Sequence, residues 1–399
     1  MIFLPDTDLK TSPRVTTLAD PIKIIVAPQA FKGTASAAVV ADAMVRAISK
    51  VLPQAKIVRA PIADGGGGTV EALVTATNGH YVNSHTVDPL GRPIEANWGV
   101  LGNKKTAVIE TSAASGLSLL DPCDYNPEIT TTKGTGLLIK AALDLGYKDI
   151  LIGLGDSATN DAGAGLGHAL GIKPLDINGN ELPNGGSALA DLHSFDLNEI
   201  HPLLKIATKT VLCDVKNPLC GINGASTIFG PQKGASPQQI HVLDNALANF
   251  ASVVKKQFHK DVLTIPGSGA GGGLGAGLVG LCNAKLQSGF EVISKSIRLN
   301  EKLKGADIVL TGEGRIDAQT PGGKGVAGIA NMSRSSGVKS VAVIVGSSDL
   351  IHSQTSAIGF DAVFPLTDSS KSEIPTPEET PRLIENATVE AIRTLMKGK

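Results

Sequence analysis

Seven segments that combine clustered glycines with charged or hydroxyl side chains constrain this 399-residue chain more than any other feature. They are Pro28–Thr34 (PQAFKGT), Ala63–Thr69 (ADGGGGT), Gly153–Gly165 (GLGDSATNDAGAG), Cys213–Gly221 (CDVKNPLCG), Asn223–Gly234 (NGASTIFGPQKG), Pro266–Gly277 (PGSGAGGGLGAG) and Thr311–Lys324 (TGEGRIDAQTPGGK). Glycine lets backbone N–H groups approach an anion closely, and a helix start adds a favourable dipole. Lysine and arginine bring charge to a phosphate or carboxylate, while Asp or Glu can hold Mg²⁺ or take a hydroxyl proton. Such segments follow predicted strands here, the place where open α/β sheets bind their ligands. With 46 glycines and only 3% aromatics, the chain is built to grip ligands by its backbone rather than by stacking.

The strands themselves are short and β-branched. Lys23–Ala27 (KIIVA) and Lys56–Ala60 (KIVRA) predict buried strands. Between them Val40, Met44, Ile48 and Val51 recur at helical spacing behind Ser36, a plausible N-cap. The same alternation returns late, with strands at Ala306–Thr311 and Val338–Val345 and helices at Gly323–Arg334 and Pro381–Met396. The texture between is different: β-structure over Tyr81–Ile109, a strand at Asp149–Gly153, another at Val211–Asp214, and helices at Thr132–Leu145 and Gln238–Lys255. The expected fold class is α/β with two domains. A doubly wound, flavodoxin-like parallel sheet is built from both termini (22–81 and 286–399), and a mixed α/β domain (82–285) is inserted, with the active site in the cleft between them. Residues 1–21 read as an extension, with neither a basic leader nor an anchor.

Several function classes fall away. Formal net charge is −1, from 36 basic and 37 acidic side chains, which leaves no footprint for nucleic acid or an anionic membrane. The uncharged stretch Leu263–Ala284 contains Pro266 and many glycines, too costly for a membrane helix. Cys123, Cys213, Cys220 and Cys282 form no C-x-x-C pair, which fits a reducing, cytoplasmic compartment. There is no P-loop, no protein-kinase signature, no H-E-x-x-H and no G-x-S-x-G. Gly267, Gly269 and Gly272 spell G-x-G-x-x-G with Glu291 beyond, so a nicotinamide-dependent hydroxy-acid dehydrogenase stands as an alternative.

The motifs APQAFKGTASA, ADGGGGTVEA, ETSAASGL, TTKGTG, GDSATNDAGAGL, CDVKNPLCG, NGASTIFGPQKGAS, PGSGAGGGLGA and TGEGRIDAQTPGGK, in this order, resemble the bacterial-type glycerate kinase family. The resemblance spans Ile24 to beyond Gly346. It implies phosphorylation of D-glycerate by ATP with Mg²⁺, the 2-phosphate being favoured, on a two-domain α/β fold that is monomeric or homodimeric. Three departures stand out. Gln29 and Ala30 replace an acidic or amide residue followed by serine, Gly67 replaces Glu or Asp, and Asp156 replaces glycine. The carboxylate lost at 67 and the one gained at 156 are expected to serve neighbouring points of one cleft. A catalytically inert, kinase-like binding protein, disabled by the changes at Gln29, Ala30 and Gly67, is a further alternative.

The residues then take roles. Asp317 is expected to accept the glycerate hydroxyl proton, and Arg315 and Lys32 to bind carboxylate or phosphate; an Arg–Asp pair that merely fastens a loop is the plainer reading of Arg315. Asp64, Ser157, Thr159, Asn160 and Lys324 are candidates for substrate contact. Gly267, Gly269, Gly271, Gly272 and Lys233 are candidates for the nucleotide phosphates. Asp161, Asp214 and Glu313 are candidates for Mg²⁺, with helix capping as the structural alternative for Asp161.

Overall fold

The computed structural model describes residues 21–317, 325–367 and 375–397, so the expected N-terminal extension and Lys324 lie outside the described residues. Two sheets organise the chain. The first has five parallel strands, β1 (Lys23–Val26), β2 (Lys56–Arg59), β11 (Ile308–Ile316), β12 (Ser340–Ser348) and β13 (Ala362–Pro365), in the order β13-β12-β11-β1-β2. The second has six strands, β3 (His80–Val87), β4 (Pro93–Val100), β5 (Thr106–Glu110), β6 (Asp149–Gly153), β9 (Thr208–Leu212) and β10 (Lys285–Gln287), in the order β10-β9-β6-β5-β4-β3. Its β10, β9, β6 and β5 are parallel, while β4 and β3 run antiparallel. A small hairpin, β7 (Lys173–Leu175) with β8 (Ser194–Asp196), completes the strands. The chain is therefore a two-sheet α/β protein, as its strand and helix alternation predicts.

Alternation along each strand of the first sheet decides what it touches. Ile24, Val26, Ile308, Leu310, Ala342 and Ile344 share a core with Val40, Met44 and Ile48 of the Ala37–Val51 helix and with Ile384 and Ala391 of the Thr380–Lys397 helix. Ile25, Val309, Val341 and Val343 point the other way. Ser36 caps the first helix by accepting from the Val39 N–H, and its buried Met44 and Ile48 each contribute about 2 kcal/mol by burial. The opposite face carries a layer that serves both sheets. Leu73 of the Thr69–Thr77 helix and Phe290 and Ile293 of the Gly289–Ser296 helix lie in one buried cluster with Ile25 and Val309 of the first sheet and Val108, Leu151 and Leu212 of the second.

One boundary moves in a way that matters. The sequence predicts a strand ending at Thr311, yet β11 continues to Ile316 in parallel register with β12, pairing Glu313 with Val345 and Arg315 with Ser347. Gly312 and Gly346 make this possible. A Cβ on Gly346 would lie 2.4 Å from the Gly314 carbonyl oxygen, and one on Gly312 would lie 2.9 Å from that of Ile344. Glycine within a strand marks such close backbone approach.

Candidate active site

Strand β1 sits between β2 and β11, so the chain leaves it in one direction for β2 and later returns on its other side. That reversal is the switch point at which open parallel sheets form a ligand crevice. A cavity of about 680 Å³ occupies it, at the carboxyl ends of the strands. Lys32 follows β1, Asp64 follows β2, Glu313 and Arg315 share one face of β11, and Asp349 follows β12; all five line the cavity. Asp317 directly follows β11 and is near enough to act on Glu313.

The electrostatics here are uneven. Burial first, then the carboxylates of Asp64 and Asp317, push the Glu313 carboxyl up to about 7, with the Lys32 ammonium partly opposing them. Asp64 Oδ1 accepts the Gly66 N–H at 3.1 Å, while its Oδ2 makes no hydrogen bond among the described residues. Arg315 pairs with Asp349, and that partner raises its guanidinium further above its usual range. An Arg–Asp pair thus exists, but it ties β11 to the end of β12 rather than to Asp317.

The other candidates stand elsewhere. Asp161 is 1% exposed and its carboxylate takes the Thr132 N–H at 2.8 Å, the Thr132 hydroxyl at 2.9 Å, and the N–H groups of Gly163 and Gly165. These bonds tie the Thr132 turn to the start of the Ala164–Ala169 helix, the kind of geometry that the capping alternative describes. Burial is the main influence raising its carboxyl, against those hydrogen bonds. Lys233 is also buried. Its Nζ donates to the Thr159 carbonyl at 2.6 Å and to Ser157 Oγ at 3.0 Å, and burial pushes the ammonium down to about 7 despite the attraction of Asp161. Beside it, Thr159 Oγ1 and Asn160 Oδ1 are buried with no hydrogen-bond partner, while Asn160 Nδ2 donates to Ser226 Oγ at 3.0 Å. Asp214 takes the Ser288 hydroxyl and the Phe290 N–H, capping the Gly289–Ser296 helix. None of these lines the cavity.

The glycine-rich run from Gly267 packs closely against its neighbours. A Cβ on Gly269 would lie 2.2 Å from the Pro218 carbonyl oxygen, and one on Gly272 would lie 1.9 Å from that of Thr159. Gly267 and Gly271 share the positive φ of this turn. No strand leads into the run, and Glu291 sits in the first turn of the helix Gly289–Ser296, so the dinucleotide fingerprint lacks its context.

The second sheet reaches the cavity rim through Asp156. Its Oδ2 accepts the Gly67 N–H at 2.8 Å and lies 3.1 Å from where a Cβ on Gly67 would be. Positions 67 and 156 are therefore neighbours. Asp156 holds φ +61, a left-handed conformation that glycine adopts without strain. Sequence reasoning passed over Glu110, whose carboxylate accepts the Val70 N–H at 2.5 Å and the Ser112 hydroxyl at 3.2 Å. Burial raises its carboxyl most, against those bonds, and Asp156 adds to the rise. It also passed over Asp349; a lone acid after a β-branched strand was the one signal each offered.

For a metal, no group of three His, Cys, Asp or Glu residues gathers among the described residues.

A parallel sheet with acid and base groups drawn from several strand ends around its switch point defines an α/β enzyme acting on a small ligand. The sequence model of the glycerate kinase family matches residues 24–396, and the chain belongs to that family. It is 45% identical over 351 residues to glycerate 2-kinase of Escherichia coli K12, covering 87% of this chain and 91% of that one. It is 41% identical over 384 residues to glycerate kinase of Bacillus subtilis 168, covering 94% and 99%. A crystal structure described as glycerate kinase 2 from Salmonella typhimurium LT2 matches with a TM-score of 0.84 at 41% identity, over 94% of this chain and 98% of that one.

Proposed function

We propose that this chain transfers the terminal phosphoryl group of ATP to D-glycerate, giving 2-phosphoglycerate, in the cavity at the carboxyl ends of the five-stranded sheet. The observation that carries the reading is the convergence of Lys32, Asp64 and Glu313 from three neighbouring strands at the switch point. Lys32 binds the transferring phosphate and steadies its charge. Glu313, or Asp317 just beyond it, orients the attacking hydroxyl and takes its proton as that oxygen bonds to the terminal phosphorus and the bond to ADP breaks in line. Arg315, held by Asp349, presents its guanidinium to the glycerate carboxylate. Mg²⁺ would neutralise the phosphate oxygens when bound, and Asp64, whose Oδ2 makes no hydrogen bond among the described residues, is the side chain that would hold it. We place the divide between the two halves near residues 82 and 285, and the protein in the cytoplasm.

Positioning and charge neutralisation supply most of the rate in such a site. The test is ADP release with Mg-ATP and D-glycerate, followed by conversion of the product by enolase. Turnover with an enolase-competent product supports the reading. Folded protein that binds ATP yet leaves D-glycerate unphosphorylated sinks it.

A further inference from the structure

A second cavity, of about 860 Å³, lies at the opposite, amino-terminal edges of the two sheets. Lys23 opens β1 and Lys56 opens β2; Lys295 and Arg298 come from the end of the Gly289–Ser296 helix and the turn behind it, and Lys302 from the Leu299–Leu303 helix. Two acids oppose them. Glu301 is paired with Arg298, and Asp149 accepts the Thr106 hydroxyl at 2.5 Å. Five basic side chains thus face two acidic ones, a formal excess of three positive charges in a chain whose net charge is −1.

The excess is not consumed locally. Lys56 and Lys295 have no ion-pair partner among the described residues, and Lys23 and Lys302 reach the Lys304 and Ala76 carbonyls rather than carboxylates. Burial alone pulls the Lys302 ammonium below the usual lysine range, with no acid to restore it. Gathering ammonium groups around a concavity raises the potential inside it, and a multivalent anion is what lowers their joint free energy. Lysines act on phosphate as point charges, while Val58, Leu101 and Ile297 give the cavity an apolar floor for a short carbon skeleton.

We propose that this cavity binds a small phosphate-bearing anion, at a site separate from the catalytic one. Its walls come from β1 and β2 of one sheet and from β5 and β6 of the other, so an occupant fastens the amino-terminal edges of the two together.

The test is calorimetric titration of inorganic pyrophosphate into the full chain at low salt, with the Lys32→Ala variant run alongside to separate binding in the catalytic cavity. Saturable binding near one per chain is expected, weakened on the order of thirtyfold by Lys56→Glu with Lys295→Glu, since each reversal exchanges an attraction for a repulsion. That double variant should keep its turnover without pyrophosphate. The proposal is overturned by no saturable binding, by binding that Lys32→Ala abolishes, or by binding that the double variant leaves intact.

Discussion

Exchanging the residues at positions 67 and 156 isolates how the second sheet meets the cavity rim. Asp156→Gly removes a charge-assisted bond to the exposed Gly67 N–H, worth about 1 kcal/mol in such a setting, and relieves a left-handed residue, worth about the same. The net change is expected to stay within about 1 kcal/mol. Gly67→Glu is different. Its Cβ would lie 3.1 Å from Asp156 Oδ2, so its carboxylate stays within about 4–6 Å of Asp156 and close to Glu110, for a repulsion of about 1–4 kcal/mol between an interior-like and a fully aqueous dielectric. The double variant sheds that repulsion and is expected to unfold close to the wild type. The four proteins are compared by urea denaturation at pH 7, at low and high salt. A coupling energy of about 2 kcal/mol that shrinks with salt is expected. Additivity within about 0.5 kcal/mol would refute the reasoning, because it would mean that the two positions do not share a local field.

Further outcomes test other parts of the structure. Of Glu313→Gln and Asp317→Ala, the variant that removes the proton acceptor is expected to lower kcat at least about a hundredfold in folded protein, measured as ADP release; near-normal turnover in both removes these carboxylates from the proton path. Lys233 is neutralised on folding. Between pH about 7 and the ordinary lysine value the unfolded chain binds a proton that the folded chain does not, so this group makes stability rise with pH across that window and adds nothing below it. Lys233→Met is expected to flatten that rise, which is about 1.4 kcal/mol per pH unit at its steepest, in denaturation series from pH 6 to 9.5. Gly272→Ala places a Cβ 1.9 Å from a carbonyl oxygen and is expected to cost about 3 kcal/mol or more, whereas Gly33→Ala, at a positive φ but in open space, costs about 1, both read from thermal melts.

The fold was legible because its signal is local. KIIVA, KIVRA and the period of Val40, Met44 and Ile48 belong to short windows, and the strands and the helix form almost where those windows end. The end of β11 was not, because glycines at 312 and 314 read as a loop until β12, with its own Gly346, supplies a partner that needs bare backbone. The site divides the same way. Lys32 and Asp64 follow strands that periodicity locates, and Glu313 lies just past the part of β11 that it locates. Asp161 and Asp214 also follow strands, yet what they do depends on which N–H groups fold back upon them, and no spacing reports that. The PGSGAGGG run is ambiguous in sequence for a related reason. Glycine signals that something comes close, without saying whether it is a phosphate or the carbonyl of Thr159.

The helices Thr69–Thr77 and Gly289–Ser296, caught between the two sheets, also bear on how this enzyme came to be and how it comes apart. Neither half can shed them without laying bare Leu73, Phe290 and Ile293, so the halves do not survive as separable modules that evolution could shuffle or an experimenter could express alone. Amide protons in Thr69–Thr77 should be among the last to exchange with solvent, released when the whole molecule opens.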